Sequence, residues 1–135
     1  MNIFKDTITV YNVIPQHGRE PEQLQRTILP RCFWDGSAGA GYNKLGETPQ
    51  DSVSVIIPYR PEYLFSARWA DAGYPEDRFT LQAGDIIVRG AVEDENTTAA
   101  ELIEKYGSEC CIIVTAVHNY CYGSRSLWNW EVTGK

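Results

Sequence analysis

Short segments rich in β-branched and aromatic residues recur along the whole chain, and this pattern most restricts the folds that it can adopt. Several of these segments alternate apolar and polar residues with the period of two that is typical of half-buried strands. The segments are residues 5–14, 26–34, 52–58, 79–81, 86–90, 110–117 and 126–133. Short strands that do not alternate with helices predict a small antiparallel β-barrel or sandwich, and not a parallel α/β sheet.

One helix is predicted late in the chain, inserted between strands. Thr97 or Thr98 can cap it, and Glu101 follows Thr98 at the spacing of a capping box. Apolar residues continue at helical spacing, and Gly107 is a typical helix end. The expected fold class is therefore mainly β, with one short α-helix and long loops.

Three segments contain too much proline, glycine or polar sequence to be regular throughout: residues 15–25, 35–51 and 59–78. We interpret them as loops. Within the third loop, Leu64, Arg68 and Trp69 have helical spacing, so a helix of about two turns fits there.

The sequence predicts two special features of the backbone, one at Pro30 and one at Gly84. Pro30 lies inside the second predicted strand and cannot donate to a ladder, which favours an edge position or a bulge. Gly84 and Asp85 separate two short apolar runs, so we expect a turn between two strands in which Gly84 takes a positive φ.

The length of 135 residues predicts a single domain over residues 1–135. No apolar run approaches the roughly 20 residues of a membrane helix, and the start of the sequence has no signal-peptide pattern, so we expect neither membrane insertion nor secretion. The net charge of −6 argues against a surface that grips nucleic acid, because such surfaces need clustered lysine and arginine.

The cysteines do not have the spacing of a metal site or a disulfide framework. Cys110 and Cys111 are adjacent and would point to opposite faces of a strand, and Cys32 and Cys121 complete no Cys-x-x-Cys pair. His118 lies near Cys121, but nothing indicates a third residue that would orient a nucleophile pair. We expect reduced, buried thiols, no metal, no cofactor and no catalytic residue.

Aromatic residues give the best candidates for a binding surface. Four tryptophans are many for the interior of a small domain, and tryptophan and tyrosine are favoured anchors of protein interfaces. Trp69, Tyr74 and Tyr63 lie in the third predicted loop, and Tyr42 lies in the glycine-rich loop. These four residues are the predicted interface residues.

Four stretches carry a resemblance to a known group of proteins. They are KDTITVYN, then FTLQAGDIIVRG with the acidic Glu93, Asp94 and Glu95 after it, then TTAAELIEKYG, and finally LWNWEVTGK. In this order they resemble the small minor capsid or head-closure proteins, the head–tail connectors, of tailed bacteriophages and prophages. The resemblance covers most of the chain, but loops 15–25 and 35–51 have no counterpart in it.

The resemblance implies a non-enzymatic β-barrel subunit that forms a homo-oligomeric ring under the portal or its adaptor and contacts tail-side proteins. Such a ring lines the DNA channel, and an acidic wall would let genomic DNA pass without specific binding. The protein would then be found in the virion, and in the host cytoplasm during assembly. The alternative is a small β-barrel binding module, or an enzyme of unrecognised type, with a pocket at the aromatic loop from Tyr63 to Tyr74.

Overall fold

A computed structural model describes residues 4–14, 23–36, 53–94, 97–124 and 127–135. Within these ranges the chain forms six strands and two helices. They are β1 (Asp6–Ile14), β2 (Gln23–Asp35), β3 (Val53–Pro58), α1 (Ser66–Asp71), β4 (Ile86–Arg89), α2 (Ala99–Cys110), β5 (Cys111–Tyr120) and β6 (Asn129–Gly134). Most of the predicted loops 15–25 and 35–51 lies outside the described residues.

The six strands form a closed barrel in the order β1-β2-β3-β6-β5-β4. Every neighbouring pair is antiparallel. The ring closes where β4 pairs with β1, with Arg89 opposite Ile8 and Ile86 opposite Tyr11. The predicted class, mainly β and antiparallel, is confirmed.

Side-chain alternation divides the apolar residues between two clusters. Ile8, Val10 and Ile87 belong to the larger cluster, which also holds Trp130. Tyr11, the next residue of β1, belongs to the second cluster, together with residues of β4 and with Leu102 of α2. Because successive side chains of a strand point to opposite faces, the first cluster fills the barrel and the second is covered from outside by α2.

Helix α2 begins as the sequence predicts. The Thr98 hydroxyl accepts a hydrogen bond from the Glu101 backbone N–H at 3.3 Å, which satisfies one of the free donors of the first turn. Gly107 has a φ of 76° and interrupts the helical conformation, and the chain enters β5 at Cys111. The capping residue and the glycine therefore set the two ends of the regular helix.

Two predicted elements are wrong. Residues 79–81 do not form a strand: Phe79 makes only an isolated bridge to Tyr63, although the segment is fully buried. The β5–β6 connection spans residues 121–128 and not 118–125, because β5 continues to Tyr120. The helix of about two turns that fits the third predicted loop is present as α1, so the described part of the chain has two helices and not one.

Pro30 lies at a β-bulge. Asp6 pairs with Cys32 and Ile8 pairs with Leu29, so Pro30 and Arg31 together oppose a single residue of β1. Arg31 has a φ of 59°, a conformation that residues other than glycine adopt infrequently. The bulge that the proline predicted is confirmed, and it bends β2 so that the strand leaves β1 and joins β3.

Gly134 is buried where β6 passes between β3 and β5. A Cβ there would lie 2.6 Å from the Ile113 carbonyl oxygen and 2.9 Å from the Ile112 Cδ1 atom. Since the carbonyl belongs to the barrel wall and cannot move alone, we expect Gly134→Ala to lower the free energy of unfolding by about 1–3 kcal/mol. Urea denaturation followed by circular dichroism measures this difference.

The matched control is Gly36→Ala, because its added Cβ would come no closer than 3.7 Å to the Trp34 Nε1 atom. We expect this control to change stability by less than about 0.5 kcal/mol. Equal stability of the two variants would contradict this prediction, because it would show that the backbone at Gly134 shifts to accommodate the added Cβ.

Candidate functional site

Aromatic rings form a continuous series from the barrel interior to one end of the barrel. Trp130 is buried, and its ring centroid lies 4.2 Å from that of Tyr63 and 5.8 Å from that of Tyr59. Tyr63 contacts Phe65 edge to face at 5.5 Å, and Tyr59 contacts Trp128 in the same way at 5.3 Å. The rings at the surface are therefore held by rings in the core.

Strand order explains why these residues meet. In an antiparallel barrel, the end of β3, the end of β5 and the start of β6 lie at the same end. Tyr59 follows β3 directly, and its backbone N–H donates to the Trp128 carbonyl at 2.9 Å. The Trp128 indole N–H donates to the Gly123 carbonyl at 3.1 Å, which holds the β5–β6 connection against the same end.

Three large apolar side chains at this end are exposed to solvent. Phe65 is 58% exposed, Tyr122 is 73% exposed and Leu127 is 69% exposed. We call the surface formed by these residues and the rings beneath them the aromatic end; its residues are Tyr59, Tyr63, Phe65, Tyr122, Leu127 and Trp128. Aromatic and apolar side chains that are exposed together, on a rigid support, are typical of protein interfaces.

The structure brings the predicted interface residues together only in part. Trp69 is 1% exposed, so the expectation that it projects from a loop is wrong. It lies in α1 and packs edge to face on Tyr74, with ring centroids 4.8 Å apart. Tyr63 is half-buried among the rings of the aromatic end, and burial raises the pKa of its hydroxyl. Tyr42 lies outside the described residues.

Sequence reasoning missed Phe65, Tyr122 and Leu127. Nothing in their local pattern distinguishes them from core residues, because their exposure depends on which strand ends meet. The one available signal was that Phe65 and Tyr122 lie in predicted connections and that Leu127 lies at the start of a predicted strand. Trp69 lies in a predicted connection as well, so this signal alone does not separate an exposed side chain from a buried one.

The turn at Gly84 and Asp85 lies at the same end of the sheet. Gly84 has a φ of 96°, and its N–H donates to the Val114 carbonyl at 2.8 Å. Asp85 is fully buried, and its carboxylate accepts from the Val13 N–H at 2.9 Å and from the Asn12 side-chain amide at 2.7 Å. We interpret this turn as structural and not as a binding site, because its polar groups form hydrogen bonds to β1 and β5.

Two clefts lie beside β2, and neither is lined by the loop from Tyr63 to Tyr74. The larger has a volume of about 510 Å³, and its walls include Tyr11, Arg26 and Asp94. The Tyr11 hydroxyl donates to the Asp94 carbonyl at 2.8 Å, and burial raises the pKa of Tyr11 to about 12. A protonated tyrosine and a largely polar lining give this cleft hydrogen-bonding capacity.

The thiols are less uniformly buried than expected. Cys32 and Cys111 are buried, whereas Cys110 and Cys121 are partly exposed, and all four are free. Burial raises the pKa of the Cys32 and Cys111 thiols to about 11, so both are protonated near neutral pH. His118 lies in β5 and is exposed.

Within the described ranges, no three His, Cys, Asp or Glu residues are grouped so that they could hold a metal ion. Over the same part of the chain, no helix has the length and apolar character needed to span a membrane.

Comparison with known proteins gives one result. Searches of curated proteins and of solved structures found no match. A family model described as "Family of unknown function (DUF6751)" matches residues 3–135. Because this match spans nearly the whole chain, the chain belongs to the DUF6751 family.

Proposed function

We propose that the chain is a structural subunit of a phage head–tail connector, which docks to its neighbours through the aromatic end. The observation that carries the proposal is the joint exposure of Phe65, Tyr122 and Leu127 on a support of packed rings. An exposed apolar surface is costly in water and becomes favourable when a partner covers it. The sequence resemblance to head-closure proteins supplies the class of assembly.

The charge of the chain is consistent with a connector role. A net charge of −6 gives a subunit that repels phosphates, so a ring of such subunits lets DNA move through its channel without adhering. Apolar contacts at the aromatic end would hold the ring together without using that charge. In this proposal the ring forms with a portal or adaptor partner and meets tail-side proteins on its other face.

The test is an assembly assay with the triple variant Phe65→Ala, Tyr122→Ala, Leu127→Ala. Purified protein is added to capsids that lack it, and its incorporation is measured by co-sedimentation. Since truncation of interface anchors costs on the order of 2 kcal/mol or more, we expect binding to weaken by about thirtyfold or more. Circular dichroism should show a folded barrel, because all three side chains are mainly exposed.

The matched control is Ile103→Ala, which truncates an exposed apolar residue on α2. It should join the particle as the unchanged protein does. Incorporation of the triple variant at the normal level would exclude the aromatic end as the docking surface. If neither the variant nor the unchanged protein joins capsids under any condition, the connector role itself fails.

A small binding module is the second candidate, and the 510 Å³ cleft beside Tyr11 favours it. Its volume lies in the range of ligand-binding pockets. A screen of small polar ligands by thermal denaturation distinguishes the two candidates. A binding module gains stability from a ligand in the absence of any partner protein.

A further inference from the structure

β2 and the chain after β3 stop pairing where prolines interrupt both of them. The ladder between these strands ends at Phe33 and Ile56. Beyond it, Pro30 on one side and Pro58 and Pro61 on the other have no N–H to donate. The two segments diverge there and leave a cleft of about 340 Å³. It lies between residues 26–30 of β2 on one side and Arg60, Glu62, Glu76, Asp77 and Phe79 on the other.

One wall of this cleft is the edge of a strand. β1 pairs with β2 on the opposite side, with Val10 opposite Thr27 and Ile8 opposite Leu29. At alternate residues the backbone N–H and C=O groups of β2 therefore point away from β1 and toward the cleft. Among the described strands, none pairs with this edge between residues 27 and 30.

Polar side-chain atoms in the cleft also have spare hydrogen-bonding capacity. The Thr27 Oγ1 and the Arg60 Nε atoms are buried and have no hydrogen-bond partner within the described parts of the chain. Buried polar atoms are normally paired, so these two atoms indicate a site that another group can complete. An exposed strand edge with such atoms beside it is a template for an added strand.

The opposite wall determines the charge of a suitable occupant. Glu62, Glu76 and Asp77 line the cleft and are exposed, and no ion pair involves them within the described ranges. Arg26 and Arg60 also line the cleft, and both keep their positive charge, because Arg26 donates to the neutral Val92 carbonyl at 2.8 Å and Arg60 donates to the neutral Pro30 carbonyl. Three carboxylates against two guanidinium groups leave the lining with a net negative charge, and the carboxylates are exposed whereas the arginines are half-buried, so an occupant meets mainly negative charge.

We propose that this groove binds an extended, basic segment of another protein, which adds to β2 as a strand. Backbone hydrogen bonds to β2 between residues 27 and 29 hold the segment in register. Its lysine or arginine side chains face Glu62, Glu76 and Asp77, and an apolar residue between them packs near Ile28, which is 39% exposed. The inference stands on the cleft alone and does not require docking at the aromatic end.

The test uses the full chain and a synthetic peptide, Lys-Val-Lys-Val-Lys-Val, with amide chemical shifts followed by NMR. We expect saturable shifts of the amides of Thr27, Ile28, Leu29, Arg60 and Glu62. The same peptide with alternate amides N-methylated should bind about tenfold more weakly, because it loses hydrogen-bond donors. A Glu-Val-Glu-Val-Glu-Val peptide should give no saturable binding.

Two variants test the acidic wall. Glu76→Gln combined with Asp77→Asn should weaken binding of the basic peptide by about threefold or more, as expected for exposed charges. The control Glu104→Gln, on the exposed face of α2, should leave the affinity unchanged. The proposal is overturned if the basic peptide fails to saturate, if its shifts lie outside the groove, or if N-methylation or the acidic-wall variant leaves the affinity unchanged.

Discussion

Trp69→Ala is expected to lower the free energy of unfolding by about 3–5 kcal/mol, the range typical of removing a large aromatic residue from a packed interior. The indole is 1% exposed and packs on Tyr74. Since small domains are stable by only about 5–15 kcal/mol, a substantial fraction of the variant should unfold at moderate urea concentrations. Urea denaturation followed by far-UV circular dichroism measures the loss.

Two controls separate packing from other effects. Trp69→Phe keeps most of the ring contact and removes an indole N–H that has no partner among the described residues, so we expect a loss of only about 1 kcal/mol. Phe65→Ala, at an exposed position four residues earlier, should change stability by less than about 1 kcal/mol. If the Trp69→Ala protein is as stable as the unchanged chain, Trp69 is not a core residue, and it becomes an interface candidate again.

Asp85→Ala should destabilise the barrel by about 3 kcal/mol or more. The carboxylate accepts hydrogen bonds from Val13, from Asn12 and from the backbone and side chain of Gln82. Its removal leaves buried donors without an acceptor, at a cost of about 1–3 kcal/mol each. Thermal and urea denaturation at a fixed pH measure the loss, and Asp77→Ala, at an exposed position, is the control.

Burial raises the pKa of Asp85 from 3.8 to about 6, although its hydrogen bonds oppose the shift. Between these pH values the folded chain retains a proton that the unfolded chain has released. The stability that comes from this retained proton is therefore fully present below about pH 4 and is lost as the pH rises through about 6, whereas the hydrogen bonds of the carboxyl group remain. In a comparison with Asp85→Asn, we expect the unchanged protein to lose up to about 3 kcal/mol of relative stability across this range. A constant difference between the two proteins would contradict the raised pKa.

Much of the barrel could be predicted because its signals are local. Alternation in β1 and β3, the Thr98 cap of α2 and the proline bulge in β2 each depend on a few neighbouring residues. The segment of residues 79–81 was misjudged for a physical reason. An apolar run indicates burial, and here the burial comes from filling the end of the barrel and not from pairing in the sheet.

The candidate interface was harder to predict because exposure is a property of the whole fold. Trp69 lies in a segment with glycine and proline, which suggested an exposed loop. Gly73 and Tyr74, both with positive φ, instead turn the chain after α1 so that Tyr74 covers the indole. Phe65 contacts the outer side of the Tyr63 ring, whose other sides pack against Phe79 and Trp130. Phe65 therefore stays at the surface. No local pattern contains this information.

The position of β6 has a consequence for how the chain is made. This strand follows all the others in sequence, yet it lies between β3 and β5, and Gly134 is opposite both Val53 and Val114. During synthesis the β1–β2 hairpin can form early, but the edges of β3 and β5 stay without a strand between them until β6 has left the ribosome. Barrels that depend on such distant pairings fold on the order of milliseconds to seconds, so the nascent chain presents two unpaired edges to chaperones before it closes.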